Sequence, residues 1–343
     1  MNLGGFETDD RVLVIAEIGV NHDGSVERAV DLIAHAKAAG ADAVKLQVFR
    51  ADALVHHSAG FAEYQKSRVA AADPAEMLRQ YELSDDALGV TARAAADAGL
   101  ILISTPFSPD DVPRAAAVSA VIKIASPDLI NRLLLRRVVE TRLPMIVSTG
   151  AATEEEIDGA VRWLHAKAAQ FALLHCISSY PVAESEANLC WISGLARHGV
   201  PVGYSDHTTE LSAGALAVAC GARIVEKHIT YDTAAAGPDH SASFDPPTFT
   251  EYVRRIRQAE RMLGGAGRRV LACERDVRTV SRQSLVLRRD LPAGHTLTAD
   301  DLTTQRPGTA MSAEHFESAV GRTLVTAKRA GDLLMPGDLG DAA

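Results

Sequence analysis

Short apolar runs alternate along most of the chain with Ala-rich stretches whose apolar positions recur at helical spacing. Candidate strands begin near Val12 (VLVIAEIG), Ala43 (AVKLQVF), Ile101 (ILISTPF), Val121 (VIKIAS), Pro144 (PMIVSTG), Phe171 (FALLHCIS), Val200 (VPVGYSDH) and Arg223 (RIVEKHIT). Amphipathic stretches at Ser25 to Ala39, Ser84 to Ala98, Thr153 to Ala168, Leu211 to Cys220 and Thr248 to Leu263 lie between or after them. Several open on a Ser, Thr or Asp cap and close on Gly. Eight βα units in about 250 residues predict an α/β fold, a (β/α)8 TIM barrel, rather than an open doubly wound sheet. Neither a G-x-G-x-x-G nor a Walker pattern occurs.

The alternation breaks twice. Residues 49–80 form an insertion after the second strand, which in a barrel belongs to the catalytic face and could act as a lid. His56, His57 and Tyr64 lie in it. After Leu263 a Gly/Arg-rich break, Gly264 to Arg269, ends the βα pattern. Short strand-like pieces (SLVLRRDL, TLVTAKRA) then alternate with Pro-Ala-Gly, Arg-Pro-Gly and Ala-Gly-Asp turns. The expected organisation is a barrel over 1–263, a linker over 264–280 and a small domain over 281–343.

The chain has 343 residues, 47% hydrophobic and 23% charged, with a net charge of −9. That charge argues against a nucleic-acid or membrane-surface partner, so an anionic ligand must be held by local cations. No apolar run is long enough for a membrane anchor. Cys176, Cys190, Cys220 and Cys273 fit neither a metal nor a disulfide spacing and read as buried thiols of a cytoplasmic protein.

Strands of a parallel barrel are buried on both faces, so polar residues inside them are costly unless satisfied or functional. Glu17, Lys45, Gln47, Lys123, Glu226 and His228 all sit in such runs, near the end that carries active sites in barrel enzymes. A plain interior ion pair is the competing reading for Glu17 and Lys45. Lys45 and Lys123 are the natural holders of an anion, supported by Thr105, Ser126, Ser148, Ser178 and Ser205 at strand ends. His207 and His228 end the seventh and eighth strands, whose spacing of about 4.8 Å lets two imidazoles reach one divalent ion such as Mn²⁺, Co²⁺ or Mg²⁺.

Ala16-Glu-Ile-Gly-Val-Asn-His-Asp-Gly24, Val44-Lys-Leu-Gln47, Ser104-Thr-Pro-Phe-Ser108, Lys123-Ile-Ala-Ser126, Ser148-Thr-Gly150, His175-Cys176 with Tyr180-Pro181, Ser205-Asp-His-Thr208, Glu226-Lys-His228 and Gly237-Pro-Asp-His240 follow one another in order. In this they resemble the N-acetylneuraminate (sialic acid) synthase family, and Arg306-Pro-Gly308 resembles the antifreeze-like (SAF) domain that ends its members. The resemblance implies a transferase that condenses phosphoenolpyruvate with the open-chain aldehyde of an N-acetylmannosamine-type sugar, giving a nine-carbon 2-keto acid and phosphate. It implies a divalent metal, Mn²⁺ first with Mg²⁺ or Co²⁺ as alternatives, at His207 and His228. Lys45, Thr105, Lys123, Ser126, Ser148 and Ser205 resemble the phosphoenolpyruvate contacts. Glu17, Gln47, Tyr180 and Asp239 resemble groups around the sugar and metal, and Arg306 an arginine reaching the acceptor across a domain-swapped homodimer. Asp128 keeps a carboxylate where many members have Glu, for proton handling at the water-addition step, and Ser178 stands where bacterial members often have Asn. A synthase for a different aldose, and an inactive sugar-binding protein, are the alternatives.

Overall fold

The computed structural model describes residues 1–56, 73–265 and 267–342. Two compact units divide the chain, Met1–Gly264 and Gly265–Ala343.

The first unit is a closed parallel barrel of eight strands. They are β1 (Leu13–Gly19), β2 (Ala43–Val48), β3 (Ile101–Pro106), β4 (Val121–Ile124), β5 (Met145–Ser148), β6 (Phe171–Cys176), β7 (Val202–Asp206) and β8 (Ile224–His228). They are ordered around the barrel as in the chain, and β8 pairs with β1 to close it, Ile224 opposite Leu13. All eight strands of the sequence reading are present, each within two residues of its expected start.

The alternation of side chains along a strand sorts residues into two cores. Outward positions such as Val14, Val44, Leu102, Ile122 and Val225 pack under the helices. Inward positions Leu13, Ile15, Ala43, Ile103, Val121, Ile146, Ala172, Leu174 and Ile224 fill the barrel's lower interior. An N-terminal hairpin, Asn2–Leu3 against Phe6–Glu7, places Leu3 in this inner cluster and plugs that end. One inward step further along each strand, the chain turns from apolar to polar.

The helices begin where their caps predict. Ser25 accepts from the Arg28 amide, Ser84 from that of Ala87, and Thr153 forms a reciprocal box with Glu156. Each cap contributes about 1 kcal/mol. Shorter helices at Val112–Val118, Arg132–Glu140 and Trp191–Leu195 were not expected from periodicity. Only Cys176 is buried, whereas Cys190 and Cys273 are exposed, on surface turns, and Cys220 is half-buried at a helix end. The segment read as a linker holds a helix, Arg275–Ser281. Of the 49–80 insertion, helices Ala51–Leu54 and Pro74–Arg79 flank residues 57–72, so the lid expectation, with His57 and Tyr64, lies outside the described residues. No helix among the described residues is long and apolar enough to cross a membrane.

The second unit is built on two antiparallel pairs, Ser284–Leu287 with Leu302–Gln305 and Arg322–Leu324 with Leu339–Ala342. Leu285, Leu287, Leu297, Leu302, Leu324 and Leu334 form its core. Arg306 is exposed within this unit, just after the second strand.

Candidate active site

Above the apolar floor, the next inward position on each strand is Glu17, Lys45, Thr105, Lys123, Ser148, Cys176, Ser205 and Glu226 in turn. All eight are buried and line one cavity of about 400 Å³. Two-residue periodicity therefore turns one polar residue per strand into the cavity just beyond the apolar floor, at the strand ends where barrel enzymes work. The same cavity takes in Gln47, Ser126, Ser178, Tyr180, His207, His228 and Asp239.

Charge in this layer is balanced. Lys45 Nζ lies 3.1 Å from Glu17 and 3.7 Å from Glu226, and donates to Thr105 at 3.2 Å. Gln47 donates to Glu17 at 3.4 Å. Lys123 Nζ donates to Ser148 Oγ at 2.6 Å and to the Ile124 carbonyl at 3.1 Å. Burial opposes the charge on Lys45, but Glu17 and Glu226 outweigh it and hold its pKa above the ordinary lysine value. Burial pulls Lys123 below that value, because its nearest partners are neutral. Burial likewise pushes Glu17 up to about 7 despite Lys45. Burial disfavours ionised Glu226 too, yet Lys123 and Lys45 hold its pKa below the usual range, and Ser205 donates to it at 2.9 Å. Oε2 of Glu226 is buried without a hydrogen-bond partner, and Oε2 of Glu17 faces the Lys45 ammonium. Such a layer accepts an anion between the two ammonium groups, since each negative oxygen brought in meets a donor already in place.

Glycine shapes the walls. A Cβ on Gly150 would come within 2.4 Å of Ser178 Oγ and 2.8 Å of Ser126 Oγ, and the Gly150 amide donates to Ser126 at 3.0 Å. Gly19 has φ +56°, and its Cβ would meet Glu17 Oε1 at 3.0 Å. Side chains at either place would crowd the cavity lining.

The imidazoles of His207 and His228 have centroids 5.7 Å apart, with the Tyr180 ring 4.0 Å from the first and 5.9 Å from the second. His207 Nδ1 donates to the Ile177 carbonyl at 2.8 Å; burial opposes charge on this ring, but Cys176 and that carbonyl hold its pKa above the ordinary imidazole value. His228 Nδ1 is buried without a hydrogen-bond partner, and Asp239 Oδ2 lies 3.7 Å from it. Burial, with neighbouring positive charge, holds His228 well below the ordinary imidazole pKa, hence neutral. The neutral nitrogen of His228 and the His207 ring beside it can together serve one cation. Among the described residues, no group of three or more His, Cys, Asp or Glu side chains is arranged to hold a metal.

Two predicted residues stand apart. Asp128 is absent from the cavity lining: Pro127 starts a 3-10 turn over Ser126–Ile130, and Asp128 Oδ1 instead accepts from Asn131 at 2.8 Å. Arg306 belongs to the second unit. His175 points away from the cavity, bonded to the Ala187 carbonyl at 2.8 Å and stacked on Tyr204. Glu226 belongs with the site residues as fully as Glu17. Of the residues that brace Asp239, Asn21, Asp23 and His240 were signalled only by the Asn-His-Asp-Gly and Gly-Pro-Asp-His segments, and Ser243 lies in neither.

Comparison with known proteins agrees with this architecture. The NeuB family profile matches residues 32–268, and the SAF domain profile matches 282–340. The chain is 36% identical to N,N'-diacetyllegionaminic acid synthase of Legionella pneumophila, over 94% of this chain and 93% of that protein. It is 31% identical to N-acetylneuraminate-9-phosphate synthase of Mus musculus, over 84% and 82% respectively. The crystal structure of N-acetylneuraminic acid (sialic acid) synthetase from Leptospira borgpetersenii superposes with a TM-score of 0.70 at 30% identity, covering 78% of this chain and 90% of that one. With a polar layer on every barrel strand and these relatives along most of its length, the chain belongs to the NeuB family and carries an SAF domain at its C-terminal end.

Proposed function

We propose that this protein condenses phosphoenolpyruvate with an N-acetylmannosamine-type amino sugar, forming a nine-carbon 2-keto acid of the sialic or related nonulosonic type and phosphate. The observation that carries the reading is the buried layer in which Lys45 and Lys123 converge with Thr105, Ser148 and Ser205 below two imidazoles. The named relatives, synthases of acids of this type, support it.

In this reading Lys45 and Lys123 hold the carboxylate and phosphate of phosphoenolpyruvate, with the Ser126, Ser148 and Ser205 hydroxyls fixing its orientation. Its C3 attacks the aldehyde carbon, and the aldehyde oxygen takes a proton. Glu17, poised near neutrality, supplies a proton within this layer. Water then adds at C2, and cleavage of the C–O bond releases phosphate. The ionised Glu226, anchored by Ser205, is placed to accept the proton that the water loses.

A divalent metal, Mn²⁺ first with Mg²⁺ or Co²⁺ as alternatives, fits the paired imidazoles and the neutral, unpartnered Nδ1 of His228. His207 and His228 would hold it, and when bound it supplies Lewis-acid polarisation of the acceptor carbonyl. A homodimer in which Arg306 of a second copy reaches the acceptor completes the reading.

The test is phosphate release from phosphoenolpyruvate with Mn²⁺ and a panel of 2-acetamido and diacetamido hexoses, with the product identified by mass. A nine-carbon keto acid is expected. Phosphate release with none of the sugars overturns the assignment, and an eight-carbon product selects a synthase for another aldose.

A further inference from the structure

Lys227 stands between Glu226 and His228 on β8, and the alternation of the strand turns its side chain the other way, out of the barrel. It is fully buried. Its ammonium lies 4.2 Å from the centroid of the Phe244 ring and donates to three backbone carbonyls, those of Thr208, of Ala242 at 3.3 Å and of Asp206 at 3.5 Å. Three acceptors call for the three N–H bonds that only the charged form carries. Asp206, its register partner on β7, does not pair with it through the carboxylate. Oδ1 of that group is committed to the Thr208 amide and hydroxyl at 2.8 Å each, and Oδ2 to the Tyr252 hydroxyl at 2.7 Å. A buried charge held by carbonyl dipoles and a ring face is costly, and core packing alone would be served by an apolar side chain of the same length.

The carbonyls belong to the segments that carry the metal side of the site. Asp206 and Thr208 flank His207, Lys227 itself precedes His228, and Ala242 ends the 3-10 turn His240–Ala242 that follows Asp239. Phe244, whose ring covers the ammonium, gives its amide to the His228 carbonyl at 3.0 Å. One nitrogen outside the barrel wall thus ties together the backbone behind three side chains that face the cavity. Lys45, Thr105, Lys123 and Ser148, on the anion side, stand on β2 to β5, strands that supply none of these carbonyls.

We infer that Lys227 is a positioning residue for the metal side: its ammonium fixes the spacing of His207, His228 and Asp239 and so sets how tightly a divalent cation binds among them. The inference rests on the metal reading above and adds a residue that lies outside the cavity.

The experiment measures Mn²⁺ binding by the metal-free full chain, by calorimetry and by the paramagnetic resonance spectrum of the bound ion, with no substrate present. Lys227→Met keeps the apolar stem and removes the donors. Its Kd for Mn²⁺ should rise on the order of 10- to 100-fold, and the spectrum of the ion still bound should change. The Kd for phosphoenolpyruvate, measured on the same metal-free variant, should stay at the parental value. Lys227→Gln, whose amide still offers N–H donors to these carbonyls, should lose less, and it carries the test if the methionine variant does not fold. Leu88→Ala, which opens a cavity under the helix Asp85–Asp97, controls for lost stability alone and should keep the parental Mn²⁺ affinity. Parental Mn²⁺ affinity in Lys227→Met, or in Lys227→Gln where only that variant folds, overturns the inference and leaves the metal reading standing. So does an equal loss of phosphoenolpyruvate affinity, or an equal loss of Mn²⁺ affinity in Leu88→Ala. A parent chain that binds no Mn²⁺ overturns the metal reading, and this inference with it.

Discussion

Asp23 Oδ1 accepts a hydrogen bond from Nε2 of His240 across 3.0 Å, joining the loop after β1 to the loop after β8 at the mouth of the barrel. The link is one half of a clamp on Asp239. On the other side, Asn21 donates to Ser243 Oγ at 2.8 Å, and Ser243 donates to the Asp239 carbonyl at 2.7 Å. Asp23 is itself fixed by Arg28 and by the Tyr231 hydroxyl at 2.8 Å, with φ of +48°. Asp239, 3.7 Å from His228, is thus held from both flanks.

Loosening this clamp should impair the acceptor side of the reaction while sparing the anion side. Asp23→Ala and Ser243→Ala are each expected to cost about 1–3 kcal/mol of stability and to lower kcat/KM for the aldose roughly 10-fold, a misplacement effect. Steady-state kinetics with each substrate varied in turn checks this. A rise in the phosphoenolpyruvate KM equal to that of the sugar would show that the clamp does not act through Asp239.

The two buried lysines should respond differently to removal. Lys45→Ala removes the ammonium that faces Glu17 at 3.1 Å and Glu226 at 3.7 Å, and is expected to destabilise the barrel by about 3–5 kcal/mol. Lys123 pairs with a hydroxyl and a carbonyl, so Lys123→Met should cost less while still abolishing phosphoenolpyruvate binding. Urea denaturation alongside calorimetric titration with phosphoenolpyruvate separates the two effects. Equal destabilisation would contradict the charge arrangement described above.

Glu17 gives the folded state a pH signature. Its carboxyl releases a proton near 4.5 when unfolded but holds it to about 7 when buried. Between these values the folded state binds more protons, so the contribution of Glu17 to stability declines as pH rises across that window and levels off beyond it. Glu17→Gln removes the titration, and the stability difference between variant and parent should move in the variant's favour from pH 5 to pH 7. Denaturation midpoints across that range test it, and a pH-independent difference would refute it.

His207→Ala and His228→Ala should each abolish both bound Mn²⁺ and turnover with the far-ultraviolet dichroism unchanged. The Ile177 carbonyl already fixes the His207 ring, and His228 sits neutral with an unpartnered nitrogen. Metal analysis after gel filtration, together with activity after exhaustive chelation, decides the matter: full activity in chelated protein excludes the metal role.

Much of this was legible because the barrel imposes a period of two on apolar runs. VLVIAEIG, AVKLQV and IVEKH each place one charged residue inward just beyond the apolar floor, and that placement can be counted off the letters. What periodicity did not reach was local. RLLLRRVVE reads as readily as a strand as a helix, and Arg132–Glu140 is helical because Asn131 caps it and Leu134, Leu135 and Val138 find the barrel wall. Asp128 kept the chemistry of a catalytic acid in sequence, but the turn begun by Pro127 directs it to Asn131. The Asp23 clamp joins residues more than 200 positions apart, and spacing carries no signal across such a distance.

The last prediction concerns Arg306, exposed in the second unit. If it serves an acceptor bound in another copy's barrel, Arg306→Ala should raise the sugar KM on the order of 10-fold, the loss of a charge-assisted hydrogen bond, and leave the phosphoenolpyruvate KM unchanged. His228→Ala should be inactive for a different reason, in the barrel. Mixing the two variants under conditions that exchange subunits creates pairs in which an intact barrel meets an intact Arg306, and sugar affinity at that site should return to the parental value. Failure of the mixture to recover any high-affinity turnover, with exchange verified by tagged subunits, would place Arg306 outside the partner's site and remove it from the reaction.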